Sequence, residues 1–260
     1  MGNEFEADPM RKVVITGAAG LIGTVLEGEL GDHYEIVGID RAPRRVTNVR
    51  RVDMRRPRAL AYLFSGAEAV IDLAALPSDR TPWGDVWRNN LPATMNALEA
   101  ARQAGVRRIV FASSNHVTGM YEREPPYSSI VAGAYAGLDP AATPLIAPTW
   151  PVRPDGAYAL GKVLGEAAAR HYADAYGLSA VCLRIGTVNP ENRPLEPRHF
   201  ATLLTHRDLV RLVEAALAAP EDLTYGVYYG VSDNKWRLWD ITNAREELRY
   251  EPLDNAETFR

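Results

Sequence analysis

The sequence predicts an α/β fold, a doubly wound parallel sheet followed by a small C-terminal cap. Apolar runs of five or six residues alternate with longer helical patterns through the first two-thirds of the 260 residues. Parallel strands need such crossover connections. A glycine-spaced turn carrying Gly17, Gly20 and Gly23 joins the first run to the first helical pattern, and the second run ends in an acid, Asp40. The chain reads as one domain, 1–260, with a core over about 11–186 and mostly cap over about 187–260.

In chain order, Lys12–Thr16 reads as a short buried strand, residues 17–23 as the glycine turn and Leu21–Leu30 as a helix. Glu35–Asp40 is the second strand, and a third short strand precedes Asp53. Ala69–Ala74 reads as a strand, and Trp87–Ala104 as a long helix stopped by Gly105. Arg108–Ser113 follows as a strand, then a helix over about Ala157–Tyr176 and a strand over Leu178–Arg184. Beyond it the pattern loosens into proline-rich loops, a helix near Asp208–Ala218 and a last strand around Gly226–Gly230. Residues 120–155 break the rhythm with prolines and no sustained periodicity, and so long a loop in a compact domain is usually functional or mobile.

Composition narrows the function. A content of 47% hydrophobic and 24% charged residues is that of a folded globular chain. The net charge of -4 leaves no basic surplus for nucleic acid. One cysteine, Cys182, precludes a disulfide framework, and the histidines and acids fall in no metal-ligand spacing. No apolar run approaches the roughly 20 residues of a membrane helix. The acidic N-terminal stretch lacks the apolar region of a signal peptide, so the expected location is cytoplasmic.

Three features carry chemistry. Gly17 permits the tight turn, Gly20 lets backbone approach a pyrophosphate, and Gly23 lets the helix pack against the sheet, with phosphates at the helix N-terminus. Asp40 stands where an acid bonds a ribose 2′-hydroxyl, which favours NAD. Arg41, with Arg44 and Arg45 behind it, is the competing feature, since arginine accepts a 2′-phosphate. Asp53 suits the adenine edge or is a plain loop carboxylate. Tyr158 and Lys162 lie four residues apart on one helix face. A free phenol, with a pKa of about 10, is a poor base, and a neighbouring cation stabilises the phenolate. The chain has only three lysines, Lys12, Lys162 and Lys235, which argues against a chance pair. Ser113-Ser114-Asn115-His116 follows a strand, at the sheet edge where ligands bind. A histidine in such a loop is more often structural than catalytic, so His116 reads as a binding residue and not as an acid or base. Trp236 and Trp239 read as packing or as an aromatic wall for a sugar, and Arg50-Arg51 with Arg55-Arg56 as a solvated face.

With these motifs the chain resembles the extended short-chain dehydrogenase/reductase family, also called the NAD-dependent epimerase/dehydratase family, from about Lys12 onward. The resemblance implies a Rossmann-like fold, NAD as cofactor and a catalytic triad of Ser114, Tyr158 and Lys162. It also implies a homo-oligomer, and an Asn90 that supports cofactor and active site. Further cofactor contacts implied are Ala19, Leu21, Ile22, Arg41, Asp53, Met54, Leu73, Ala74, Ala75 and Ile185. Within the family the likeness is strongest to the bacterial uronate dehydrogenase group. It is carried by Ile109–His116, Arg153–Tyr158, Leu183–Gly186 and Asp254–Arg260. That likeness implies Ser78, Asn115 and His116 on sugar hydroxyls, Thr187 beside the substrate, and Arg198 on the carboxylate of a small sugar acid, with Arg193 as its rival. The activity implied is oxidation of C1 of a cyclic hexuronate to an aldarolactone with release of NADH.

The sequence departs from that group in a longer Gly119–Tyr158 loop, a short insertion within Pro190–Arg198 and an earlier end. Two other readings share the fold. A sugar-nucleotide epimerase or dehydratase uses the same triad and keeps its cofactor through the cycle. A non-catalytic dinucleotide sensor has no need of a base, and the intact triad argues against it.

Overall fold

The computed structural model describes residues 10–42, 49–57, 60–78 and 80–260. Arg44, Arg45 and the N-terminal stretch lie outside the described residues. β1 (Lys12–Thr16), α1 (Leu21–Leu30), β2 (Glu35–Asp40), β3 (Val49–Arg51), α2 (Leu60–Phe64) and β4 (Ala69–Asp72) form the first half. α3 (Trp83–Asp85), a π-helical turn (Val86–Asn90) and α4 (Leu91–Gln103) then lead to β5 (Arg108–Ser114). The helix expected over Trp87–Ala104 therefore starts earlier and carries a π turn, which packs Val86 inward while Trp87 stays exposed.

A 3₁₀ segment (Asn115–Arg123) runs into the loop that showed no periodicity, and α5 (Tyr127–Val131) lies within it. α6 (Ala157–Tyr176), β6 (Ser179–Ile185), α7 (His199–Thr202), α8 (His206–Leu217), β7 (Tyr225–Gly230) and α9 (Thr242–Leu248) complete the order.

All the strand pairs are parallel, in the order β3-β2-β1-β4-β5-β6-β7 among the described residues. Side chains alternate across the sheet. Val13, Ile15, Ile71 and Val110 face the layer of α1 and α8, whereas Val14, Val70, Ile109 and Phe111 face α4 and α6. Because β1 and β4 are neighbours and the chain winds outward from them in both directions, the switch point opens a crevice at their carboxyl ends.

β7, from the stretch expected to be mostly cap, completes the sheet beside β6. The proline-rich insertion is pinned from the C-terminal side, where Ile146 bridges to Trp239 and its N–H donates to Leu238 O at 2.8 Å. Trp239 stacks on Tyr229 and Trp236 on Tyr135, so both tryptophans are packing residues.

Candidate active site

The glycine turn leaves β1 with Gly17 at φ +67°, and a Cβ there would lie 2.9 Å from the Leu73 carbonyl carbon. At Gly23 a Cβ would lie 2.6 Å from the Ala18 Cα, so neither position admits a side chain. No side chain caps the N-terminus of α1 and no acid sits in its first turn, which leaves its N–H groups facing the crevice for an anion. Asp40 accepts from Ala19 N–H at 3.2 Å and Ala42 N–H at 2.9 Å, fixing the turn against the end of β2. This cradle and its open helix end fit a dinucleotide.

Two hollows meet at Asp40. The adenine-side hollow is lined by Arg41, Asp53, Met54, Ala74, Ala75 and Asn90, among others. Asp53 lies there, but Arg55 holds its carboxylate at 2.7 and 2.9 Å, and those hydrogen bonds bring its pKa down to about 2. Arg41 and Arg55 both donate to Asn89 Oδ1. Asn90 accepts from Leu76 N–H at 2.9 Å and donates to Leu76 O at 3.3 Å, so it works by holding the loop after β4.

The second hollow, about 1580 Å³ including its open mouth, runs from Gly20, Leu21, Ile22 and Gly23 past Leu73 to Ser114, Asn115, His116, Tyr158, Lys162, Ile185 and Thr187. β5 delivers Ser114, α6 delivers Tyr158 and Lys162, and β6 leads to Thr187. Ser114 favours the ionised form of the Tyr158 phenol beside it, and burial, the larger influence, pushes that phenol up to about 12. Lys162 donates to Ala112 O at 2.5 Å and lies 5.7 Å from the centre of the Tyr158 ring. Burial brings its pKa down to about 8, against the pull of the Asp72 and Glu166 carboxylates. Lys162 thus donates to a carbonyl and keeps its ammonium near the phenol ring.

His116 Nδ1 donates to Asp155 Oδ2 at 2.7 Å. In the neutral ring that bond leaves Nε2 as the acceptor. Asn115 is 3% exposed, and its Nδ2 has no partner among the described residues. A buried donor left unmade costs about 1–3 kcal/mol, which marks it for a ligand oxygen.

Three expected substrate residues stand differently. Ser78 is exposed, accepts from Arg80 N–H and is not in the lining of the hollow. Arg193 is exposed, with its backbone tied to Asn189. Arg198 reaches Thr187 Oγ1 at 3.4 Å, but Glu122 takes its fork at 2.6 and 2.7 Å. Sequence reasoning missed Glu122 and Asp155, whose partners are distant in the chain and belong to no motif. It also missed Glu166, which joins Ser113 at 2.5 Å and the Arg184 guanidinium at 2.8 and 2.9 Å beneath the site.

Cofactor choice follows from Asp40. A carboxylate about 4 Å from a 2′-phosphate is repelled by about 1 kcal/mol in water and about 4 kcal/mol at an effective dielectric near 20. The kcat/KM for NAD is expected to exceed that for NADP by about tenfold or more, and Asp40→Ser to narrow the gap. A preference for NADP in the wild type would overturn this.

Known proteins agree with the fold and the cradle. The sequence profile of the NAD dependent epimerase/dehydratase family matches residues 13–216. An NAD-dependent glucose-6-phosphate dehydrogenase of Haloferax volcanii is 34% identical, covering 95% of this chain and 95% of its own. A uronate dehydrogenase of Pseudomonas syringae pv. tomato is 35% identical, over 97% of this chain and 85% of its own. The crystal structure of uronate dehydrogenase from Agrobacterium tumefaciens superposes with a TM-score of 0.81 at 32% identity, covering 96% and 87% of the two chains. On its sheet order, its glycine cradle and these matches, the chain belongs to the NAD-dependent epimerase/dehydratase family, and NAD is its cofactor.

Proposed function

We propose that the protein is a dehydrogenase that oxidises C1 of a cyclic sugar to a lactone. The observation that carries this reading is the Ser114–Tyr158 pair beside the unpartnered Asn115 Nδ2. The glycine cradle and the N-terminus of α1 would hold NAD, which would supply a hydride acceptor for C1. The Tyr158 phenolate accepts the proton of the C1 hydroxyl while Ser114 Oγ holds that oxygen. Asn115 Nδ2 donates to one sugar hydroxyl, and His116 Nε2 accepts from another. Loss of a hydride from C1 and a proton from its hydroxyl leaves a ring carbonyl, and the lactone departs to open in water.

Two substrate classes meet this frame. A hexuronate is supported by the Asn115-His116 pair and by similarity to the uronate dehydrogenases, and it requires Arg198 to exchange Glu122 for the substrate carboxylate. An uncharged aldose requires no exchange. A nucleotide-sugar epimerase returns its hydride and accumulates no NADH. Mixing the protein and NAD with hexuronates, neutral aldoses and nucleotide sugars is expected to give absorbance at the reduced-nicotinamide band with free sugars alone. Absence of NADH from every free sugar would overturn the reading.

A further inference from the structure

Arg198 opens α7, and the next residue, His199, lines the hollow, as does Thr187, which takes one of its N–H groups. Arg198 is not itself in the lining but is the arginine directly behind it, through Thr187 and His199. Its fork is filled. Glu122 Oε2 accepts from Nε at 2.6 Å and Oε1 from Nη2 at 2.7 Å, the parallel two-bond geometry that a substrate carboxylate would need. The pair is largely withdrawn from water, with side chains 22% and 12% exposed. Glu122 takes the Nε and Nη2 edge and Thr187 Oγ1 takes Nη1 at 3.4 Å, so a second carboxylate must displace one of them or share Nη2 with Glu122.

The surroundings make both costly. Arg198 also feels the negative charges of Asp155 and Glu196. Asp155 is the carboxylate that holds His116, and Glu196 pairs with His199 at 3.2 Å. One cation thus stands among three carboxylates, an environment that repels an arriving anion and accepts hydroxyls. Glu122 is built in from the same 3₁₀ segment, Asn115–Arg123, that supplies the sugar-facing Asn115 and His116. A segment that positions hydroxyl ligands at one end therefore closes the anion fork at the other.

We propose that Glu122 is a specificity-determining residue that closes Arg198 to carboxylates, so that the substrate is an uncharged cyclic aldose. The proposal rests on the C1-oxidation reading and names its substrate class. Glu122 acts through Arg198 and touches no reacting atom.

Matched sugars that differ only at C6 test it: glucose against glucuronate, and galactose against galacturonate, each with NAD. In the wild type, kcat/KM for the neutral member is expected to exceed that for the acid by about 10- to 100-fold. Glu122→Gln keeps an acceptor for Arg198 and removes the charge, and it is expected to shift the ratio toward the acid by about tenfold or more, chiefly through a lower KM for the acid. A purely structural role would lower both activities together and leave the ratio in place. A wild type that prefers the acids, or a folded Glu122→Gln with an unmoved ratio, overturns the proposal and leaves C1 oxidation standing. If neither pair yields NADH, C1 oxidation fails, and calorimetric titration of the NADH-loaded proteins with glucuronate still decides the role of Glu122. Tighter glucuronate binding by Glu122→Gln than by the wild type supports it, and equal binding overturns it.

Discussion

Tyr158→Phe is expected to lower turnover by about 10²- to 10⁴-fold, the usual worth of a positioned general base, while NAD binding and thermal stability persist. The phenol is 9% exposed, and a phenylalanine ring in its place loses only the volume of the hydroxyl. What the variant would lose is the proton acceptor proposed for the substrate hydroxyl. The pH dependence follows from the two flanking ionisations. Burial keeps the Tyr158 phenol protonated up to about 12, and burial lets Lys162 shed its proton near 8. The competent state has the phenol ionised and the ammonium retained, so its population rises with pH while Lys162 is charged. Above about 8, each phenolate gained is matched by an ammonium lost. The kcat/KM for the sugar is expected to climb through the neutral range and level off on the alkaline side. Near wild-type turnover in Tyr158→Phe, or a flat profile between pH 6 and 8, would remove Tyr158 from the role of base.

The second large effect lies under the site. Glu166 is 6% exposed and Arg184 3% exposed, and the two join through both carboxylate oxygens, with Ser113 Oγ donating to Glu166 at 2.5 Å. Arg184 also donates to Tyr229 at 3.1 Å. Glu166→Ala strands a buried guanidinium, and removing one partner of such a pair costs about 3–5 kcal/mol. At about 2–4 °C per kcal/mol for a chain near this size, the midpoint of thermal unfolding is expected to fall by roughly 6–20 °C. The double variant Glu166→Leu with Arg184→Met removes both charges and is expected to regain much of that loss. A single variant within 1 °C of wild type would show that the pair holds nothing. Glu166 lies one helical turn beyond Lys162 and its charge supports the ammonium, so its loss also reaches the chemistry.

How much of this was legible in the sequence depends on how local the cause is. The glycine turn, Asp40, and the Tyr158–Lys162 pair are short-range patterns, and backbone geometry alone dictates their spacing. The strands were legible because both sheet faces are covered, which gives continuous apolar runs. Glu122, Asp155, Glu166 and Arg184 were not legible as partners. Each bond joins positions between 18 and 76 apart along the chain and is set by tertiary packing. Asp53 shows the reverse case: a residue type that suits an adenine edge was met first by Arg55, two positions away. Arg198 was identified as a cation of the site, but its occupancy was written in a different segment.

The bridge between Ile146 and Trp239 has a consequence for the order in which the molecule comes into being. Synthesis proceeds at roughly 5–20 residues per second and N-terminal parts fold first, so Trp239 emerges roughly 5–20 seconds after Ile146. In that interval the glycine cradle and β1, β2 and β4 are already complete, whereas the stretch bearing Asn115, His116 and Glu122 lacks its anchor. The glycine cradle is thus synthesised well before the segment that bears Asn115 and His116 can be pinned from the C-terminal side.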